Sequence, residues 1–145
     1  MRALLDTDIV SELMRAKNAV VLARSHAYLQ QHGRLAFSTI TVFEIMQGLH
    51  HMSRVAQASD FAAWSKSCEV VELDIETAEL AGEIGGALMR SGRIIGVSDT
   101  CIAAAALRHN RVLVTGNVRH YEHVRAAGFA LELDNGREPA PAPIG

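Results

Sequence analysis

Three observations predict an α/β domain of three layers, with helices on both faces of a short central parallel sheet of about four to five strands. Short apolar runs alternate along the chain with longer stretches of helical periodicity, and such β-α-β units join parallel strands by right-handed crossovers. The runs lack the polar alternation of a sheet with one wet face, as expected of strands covered on both sides. And 145 residues, 49% hydrophobic and 21% charged, are enough for one domain around one sizeable core.

In order, Ala3-Leu4-Leu5 runs straight into Asp6 and predicts a buried strand delivering a carboxylate to its C-terminal edge. Asp8 or Thr7 then caps a short helix, Ile9 to Met14. Asn18 caps a second, Ala19 to Gln31, and Gly33 ends it. Leu35 to Ser38 is the second strand. Thr41 opens a helix through Ile45 to Leu49, and Ser53 to Ser67 is another. Glu69 to Leu73 is the third strand. Asp74 begins a long helix whose Leu80, Ile84, Ala87 and Leu88 share one face. After a loop, Gly92 to Val97, Ser98 caps an alanine-rich helix, Cys101 to Leu107. Arg111 to Thr115 is the fourth strand. Tyr121 to Ala126 is a short helix stopped by Gly128, and Phe129 to Leu133 is a last edge strand. All three prolines lie beyond residue 138, so 135–145 is expected to be a disordered tail after a domain of 1–134.

Composition narrows the function classes. A net charge of −2 excludes a globally basic nucleic-acid binder, so any such contact must come from a local patch. Two isolated cysteines, Cys68 and Cys101, fit a reduced cytoplasm and no zinc spacing. Asp6 and Asp8 interrupt any N-terminal signal-like segment, and no apolar run approaches the ~18 residues of a membrane span. A cytoplasmic protein without membrane contact is expected.

Chemistry concentrates in Asp6, Glu44 and Asp99. Each follows a strand or sits in the first turn of a helix, so a parallel sheet gathers all three at one edge, where α/β domains place their ligands. Clustered carboxylates repel one another; a divalent cation relieves that, and an all-oxygen shell suits Mg²⁺ or Mn²⁺. Local alternatives stand beside this. Thr41-Val42-Phe43-Glu44 also reads as a capping box, Asp99 as a charge favoured by its helix N-terminus, and Asp6 as an Asx turn.

Four blocks resemble PIN-domain ribonucleases, specifically VapC-type toxins: 1–13 around Leu5-Asp6-Thr7-Asp8, 38–48 around Glu44, 98–107 beginning Ser98-Asp99, and 112–121 around Thr115-Gly116-Asn117. The resemblance implies a PIN-like fold and a metal-dependent endoribonuclease. The carboxylates then suggest in-line attack of metal-activated water on RNA phosphodiesters, chemistry that leaves a 5′-phosphate. It implies a homodimer held inactive by a VapB-type antitoxin. It matches Asp6, Glu44 and Asp99 to catalytic, metal-binding acids, and Thr7, Thr115 and Asn117 to supporting polar residues. Two positions depart. Asp8 stands where asparagine is common, adding a fourth carboxylate, and His120 stands where an acid is common, which puts a second metal site in doubt. Arg119 and His120 are candidate RNA contacts, though His120, like His123, also reads as an exposed helix-start histidine.

Charge is unevenly placed. Six acids and no base lie between Glu69 and Glu83, and six arginines lie between Arg90 and Arg125. The basic stretch suits RNA and the acidic one a basic antitoxin segment; solvated faces are the alternative. Other readings are a catalytically weak PIN-like binding module and a haloacid-dehalogenase-like phosphatase with Asp6 as nucleophile. The phosphatase, like a receiver module, needs a late lysine, and the lysines here are Lys17 and Lys66.

Overall fold

The computed structural model describes residues 1–142. Its strands are β1 (Ala3–Leu5), β2 (Ala36–Ser38), β3 (Glu69–Val71), β4 (Val112–Thr115) and β5 (Leu133–Asn135). The helices are α1 (Thr7–Arg15), α2 (Ala19–His32), α3 (Thr39–His51), α4 (Val55–Ser65), α5 (Ile75–Ser91), α6 (Val97–Arg108) and α7 (Val118–Ala126). Every paired strand is parallel: β1-β4-β5 form one ladder and β2-β3 another. β2 runs beside β1 without sharing a ladder. The N–H of Ala3 instead donates to the Tyr28 hydroxyl at 3.0 Å, and its carbonyl accepts from Arg111 at 3.2 Å. Side chains thus satisfy backbone groups that a neighbouring strand would otherwise take.

Successive strand residues point to opposite faces, and this divides the core in two. Leu4, Ala36, Val71 and Leu113 pack with Ile84 and Leu88 of α5, the alanines of α6, and Tyr121 and Val124 of α7. Ala3, Leu5, Phe37 and Val114 pack with Ile9 and Val10 of α1, Val21 of α2, Ile45 of α3 and Phe61 of α4. The result is the expected α/β/α sandwich, with apolar side chains packed on both faces of the sheet. Each large aliphatic or aromatic side chain so enclosed contributes about 1.5–3 kcal/mol.

Several boundaries differ from the sequence reading. Asp6 itself caps α1, accepting from the Thr7 N–H, so that helix starts two residues early. Ser38 caps α3 by accepting from Thr41, in place of a start at Thr41. α6 begins at Val97 after Gly96, whose φ of 96° a side chain would strain, so Ser98 lies inside the helix. The last strand is Leu133–Asn135, not Phe129–Leu133: the Leu131 N–H bonds back to the Phe129 carbonyl, a tight turn incompatible with a strand there.

Part of the stretch expected to be a tail makes defined contacts. Asn135 pairs with Thr115, the Gly136 N–H donates to the Thr115 carbonyl at 3.1 Å, and Arg24 bonds the carbonyls of Asn135 and Glu138. Asn135 therefore ends β5, and 136–138 are held against the sheet end and α2. For 143–145 the tail expectation falls outside the described residues. No helix among the described residues is long and apolar enough to cross a membrane.

The alanine run of α6 lets that helix lie close on the sheet. Ala104 is 0% exposed, so Ala104→Leu has no space to fill and is expected to cost about 1–3 kcal/mol. Chemical denaturation of the two proteins measures the difference.

Candidate active site

Because the strands are parallel, β1 and β4 end on the same edge. The β1 ladder runs Leu5 against Val114, which sets Asp6 beside Thr115. Asp6 is 5% exposed and both its oxygens accept hydrogen bonds. Oδ1 accepts from the Thr7 N–H at 2.8 Å and from the Tyr121 hydroxyl at 3.1 Å, and Oδ2 accepts from the Thr115 hydroxyl at 2.8 Å. Thr115 Oγ1 in turn accepts from the Asn117 N–H at 2.9 Å.

Glu44, half-buried on α3, is not the capping acid that Thr41-x-x-Glu44 suggested. Its Oε1 accepts from the Thr7 hydroxyl at 2.8 Å, while Thr41 and Thr7 share a hydrogen bond at 3.0 Å. Asp8 accepts from the Gly116 N–H at 2.9 Å through Oδ2, and its Oδ1 is buried without a hydrogen-bond partner. Asp99, in the first turn of α6, meets His120 Nε2 at 2.8 Å; that nitrogen also contacts the Ile95 carbonyl at 2.9 Å. Both partners are acceptors, so the ring carries its proton on Nε2. His120 is thus a half-buried partner of Asp99 rather than an exposed helix-start residue.

Asp6, Thr7, Asp8, Glu44, Asp99 and Asn117 line one cavity of about 510 Å³, together with Ser11, Arg15, Gly116 and Arg137. Sequence reasoning missed Tyr121 as a site residue and placed Arg137 in the tail. Nothing local could have found either, since their partners lie over a hundred residues away. Arg119 is exposed on α7 and outside the cavity lining. Lys17 and Lys66 are exposed and outside it too, which leaves the phosphatase reading without its lysine. The acidic and basic stretches are not separate faces either: Arg108 pairs with Glu76, and Arg111 with Glu69.

Burial, then the charge of Asp8 and that of Asp99, push Asp6 up to about 7, against the pull of the Thr115 hydrogen bond. Asp8 is raised as well, first by burial. Burial and the negative charges of Asp6 and Asp99 drive the Tyr121 phenol far above its usual range, so it stays protonated and donates. Among the described residues no three His, Cys, Asp or Glu side chains converge into a ready metal cage; Glu44 is turned onto Thr7 instead. The donor set nonetheless fits a hard divalent ion. It is all oxygen, Asp8 Oδ1 lacks a partner, and Asp6 carries an electrostatic cost that a cation removes. Mg²⁺ asks for one or two carboxylates and keeps several waters, so an open set suits it better than a closed one.

Asp6 has a folded-state pKa above its reference value of 3.8. Its contribution to stability is therefore present below the unfolded pKa and lost as pH rises through about 7. In metal-free buffer the thermal midpoint is expected to fall between about pH 4 and about pH 7 and to level off above. Asp6→Asn should flatten that fall and be the more stable protein at the upper end. Calorimetry across the range measures it, and equal falls in both proteins would assign the dependence to another group.

The PIN domain family matches residues 3–126. The chain is 28% identical over 139 residues to ribonuclease VapC2 of Haemophilus influenzae, covering 93% of this chain and 98% of that one. It is 30% identical over 144 residues to the VapC ribonuclease Y4jK of Sinorhizobium fredii, covering 94% and 98%. Its fold superposes on the VapBC-1 structure from nontypeable Haemophilus influenzae with a TM-score of 0.77 at 26% identity, covering 95% of this chain and all of the other. The chain belongs to the PIN domain family, with VapC-type proteins as its relatives.

Proposed function

We propose that this chain is a divalent-metal-dependent endoribonuclease, the toxin of a VapBC-type toxin–antitoxin pair, acting on RNA phosphodiesters in the cytoplasm. The observation that carries the reading is the convergence of Asp6, Asp8, Glu44 and Asp99 on one open cavity at the strand ends. The ribonuclease names of relatives that span nearly the whole chain support the choice of reaction.

Asp6 and Asp99 would hold Mg²⁺ or Mn²⁺, with Asp8 and Glu44 beside them. When bound, such an ion neutralises charge building on a phosphate and makes water easier to deprotonate. The chain's own residues supply the geometry. Thr115 and Tyr121 fix both oxygens of Asp6. The Thr7 hydroxyl holds Glu44 by one oxygen, leaving the other to orient a water or take its proton. His120 holds Asp99. In-line attack of water on phosphorus would break the P–O3′ bond, leaving a 5′-phosphate and a 3′-hydroxyl whose oxygen takes up a proton from solvent.

The related VapBC-1 complex supports a VapB-type antitoxin as the partner, and the family resemblance supports a homodimer. Exposed Phe43, Ile94 and Val97 supply apolar surface for such contacts.

Purified protein is expected to cut RNA with Mg²⁺ or Mn²⁺ and to stop when EDTA is added. Asp6→Asn should lower the rate about 10²-fold or more, the scale seen when one preorganised electrostatic group is removed. Circular dichroism should show its fold intact. Equal cleavage by wild type and Asp6→Asn would overturn the reading.

A further inference from the structure

The cavity is an awkward place for a polyanion. Four carboxylates line it, and the lining cations are Arg15 and Arg137. Arg137 is the more firmly placed. The residue before it, Gly136, packs so tightly that a Cβ there would stand 2.7 Å from Val114 and 2.8 Å from Ile9. Behind it, Arg24 ties down the carbonyls of Asn135 at 2.6 Å and Glu138 at 3.1 Å, and the Arg137 N–H donates to Asn135 Oδ1 at 3.1 Å. The backbone is pinned on both sides of the arginine.

Its guanidinium rests against Gly116, where a Cβ would come within 2.6 Å of Cζ and Nε. Glycine is the residue that leaves room for that approach. Yet the arginine's ion pairs are long. Nη2 is 3.5 Å from both Asp8 and Glu12, and the side chain is 44% exposed. A guanidinium carries five N–H donors in a fork that matches phosphate. Two long contacts set its position while leaving donors for an incoming oxyanion.

We propose that Arg137 is an RNA-binding residue of this site, its guanidinium gripping a backbone phosphate at the mouth of the acidic cavity. The proposal rests on the ribonuclease reading. It makes 135–138 part of the working unit rather than an appendage, and it gives the strand a cationic hold beside a centre that otherwise repels it.

The test uses the full chain in an Asp6→Asn background and fluorescence anisotropy with a fluorescein-labelled single-stranded RNA. Adding Arg137→Gln is expected to weaken binding about tenfold, the scale of one charge-assisted hydrogen-bonded contact. The plot of log affinity against log salt should become shallower by about 0.7, one phosphate contact on a single strand. Arg137→Lys should keep the slope and fall between the two in affinity, because it keeps the charge without the fork. Gly116→Ala should weaken binding with the arginine present, by displacing the guanidinium. In cleavage assays Arg137→Gln alone should raise KM with kcat little changed. Equal affinity and slope with and without Arg137, absence of binding by both included, overturns the proposal and leaves the arginine a partner of Asp8 and Glu12. Tighter binding or faster cleavage by Arg137→Gln overturns it too, marking Arg137 as a plug. Failure of the wild type to cut RNA sinks the ribonuclease reading instead, whatever the Arg137 series shows.

Discussion

An ionisable carboxylate enclosed at the end of a sheet costs several kcal/mol unless its oxygens find donors. Asp6 finds them on three elements: the Thr7 amide at the start of α1, the Thr115 hydroxyl at the end of β4, and the Tyr121 hydroxyl inside α7. The same bonds that make the group tolerable also tie those elements together. Tyr121 is fully buried, and its ring packs in the α5–α7 core while its hydroxyl reaches the site. Core packing and site geometry are therefore set by one side chain, and neither can relax without the other.

Around Asp6 the remaining acids are kept apart rather than fused. Glu44 is drawn to Thr7, Asp8 to the Gly116 amide, and Asp99 to His120. Each has a private partner that limits mutual repulsion without neutralising it. What remains shows in Asp6, raised by its carboxylate neighbours beyond the effect of burial. A site that stores unfavourable charge in this way is built to take up positive charge, from an ion or from a guanidinium.

Much of this was legible locally. An apolar run ending in an acid needs no distant information, nor do Asn18 before α2 or Asp74 before α5, whose side chains accept from the first free amides of their helices. The layering was legible too, because Ala3-Leu4-Leu5 of β1 and Val112-Leu113-Val114 of β4 are apolar at consecutive positions, as strands covered on both faces are. Where local pattern failed, a tertiary contact won. Glu44 had an available capping role, but its carboxylate accepts from the Thr7 hydroxyl and the Thr41 amide already donates to Ser38. Phe129 to Leu133 is apolar enough for a strand, yet Leu131 and Phe129 are spent on packing under α7 and in a turn. Arg137 sat in a stretch whose composition signals a loose end. Its anchoring depends on Arg24 and on the fit of Gly136 against Val114 and Ile9, none of which composition can report.

The parallel ladder has a consequence for biosynthesis. β1 leaves the ribosome first, but its partner β4 is made about a hundred residues later, and Asp6 waits 109 residues for Thr115 and 115 for Tyr121. Contacts of such long sequence separation form late and slowly. A nascent or prematurely terminated chain therefore exposes the acidic residues without assembling them. The acidic centre is therefore complete only when synthesis is nearly done.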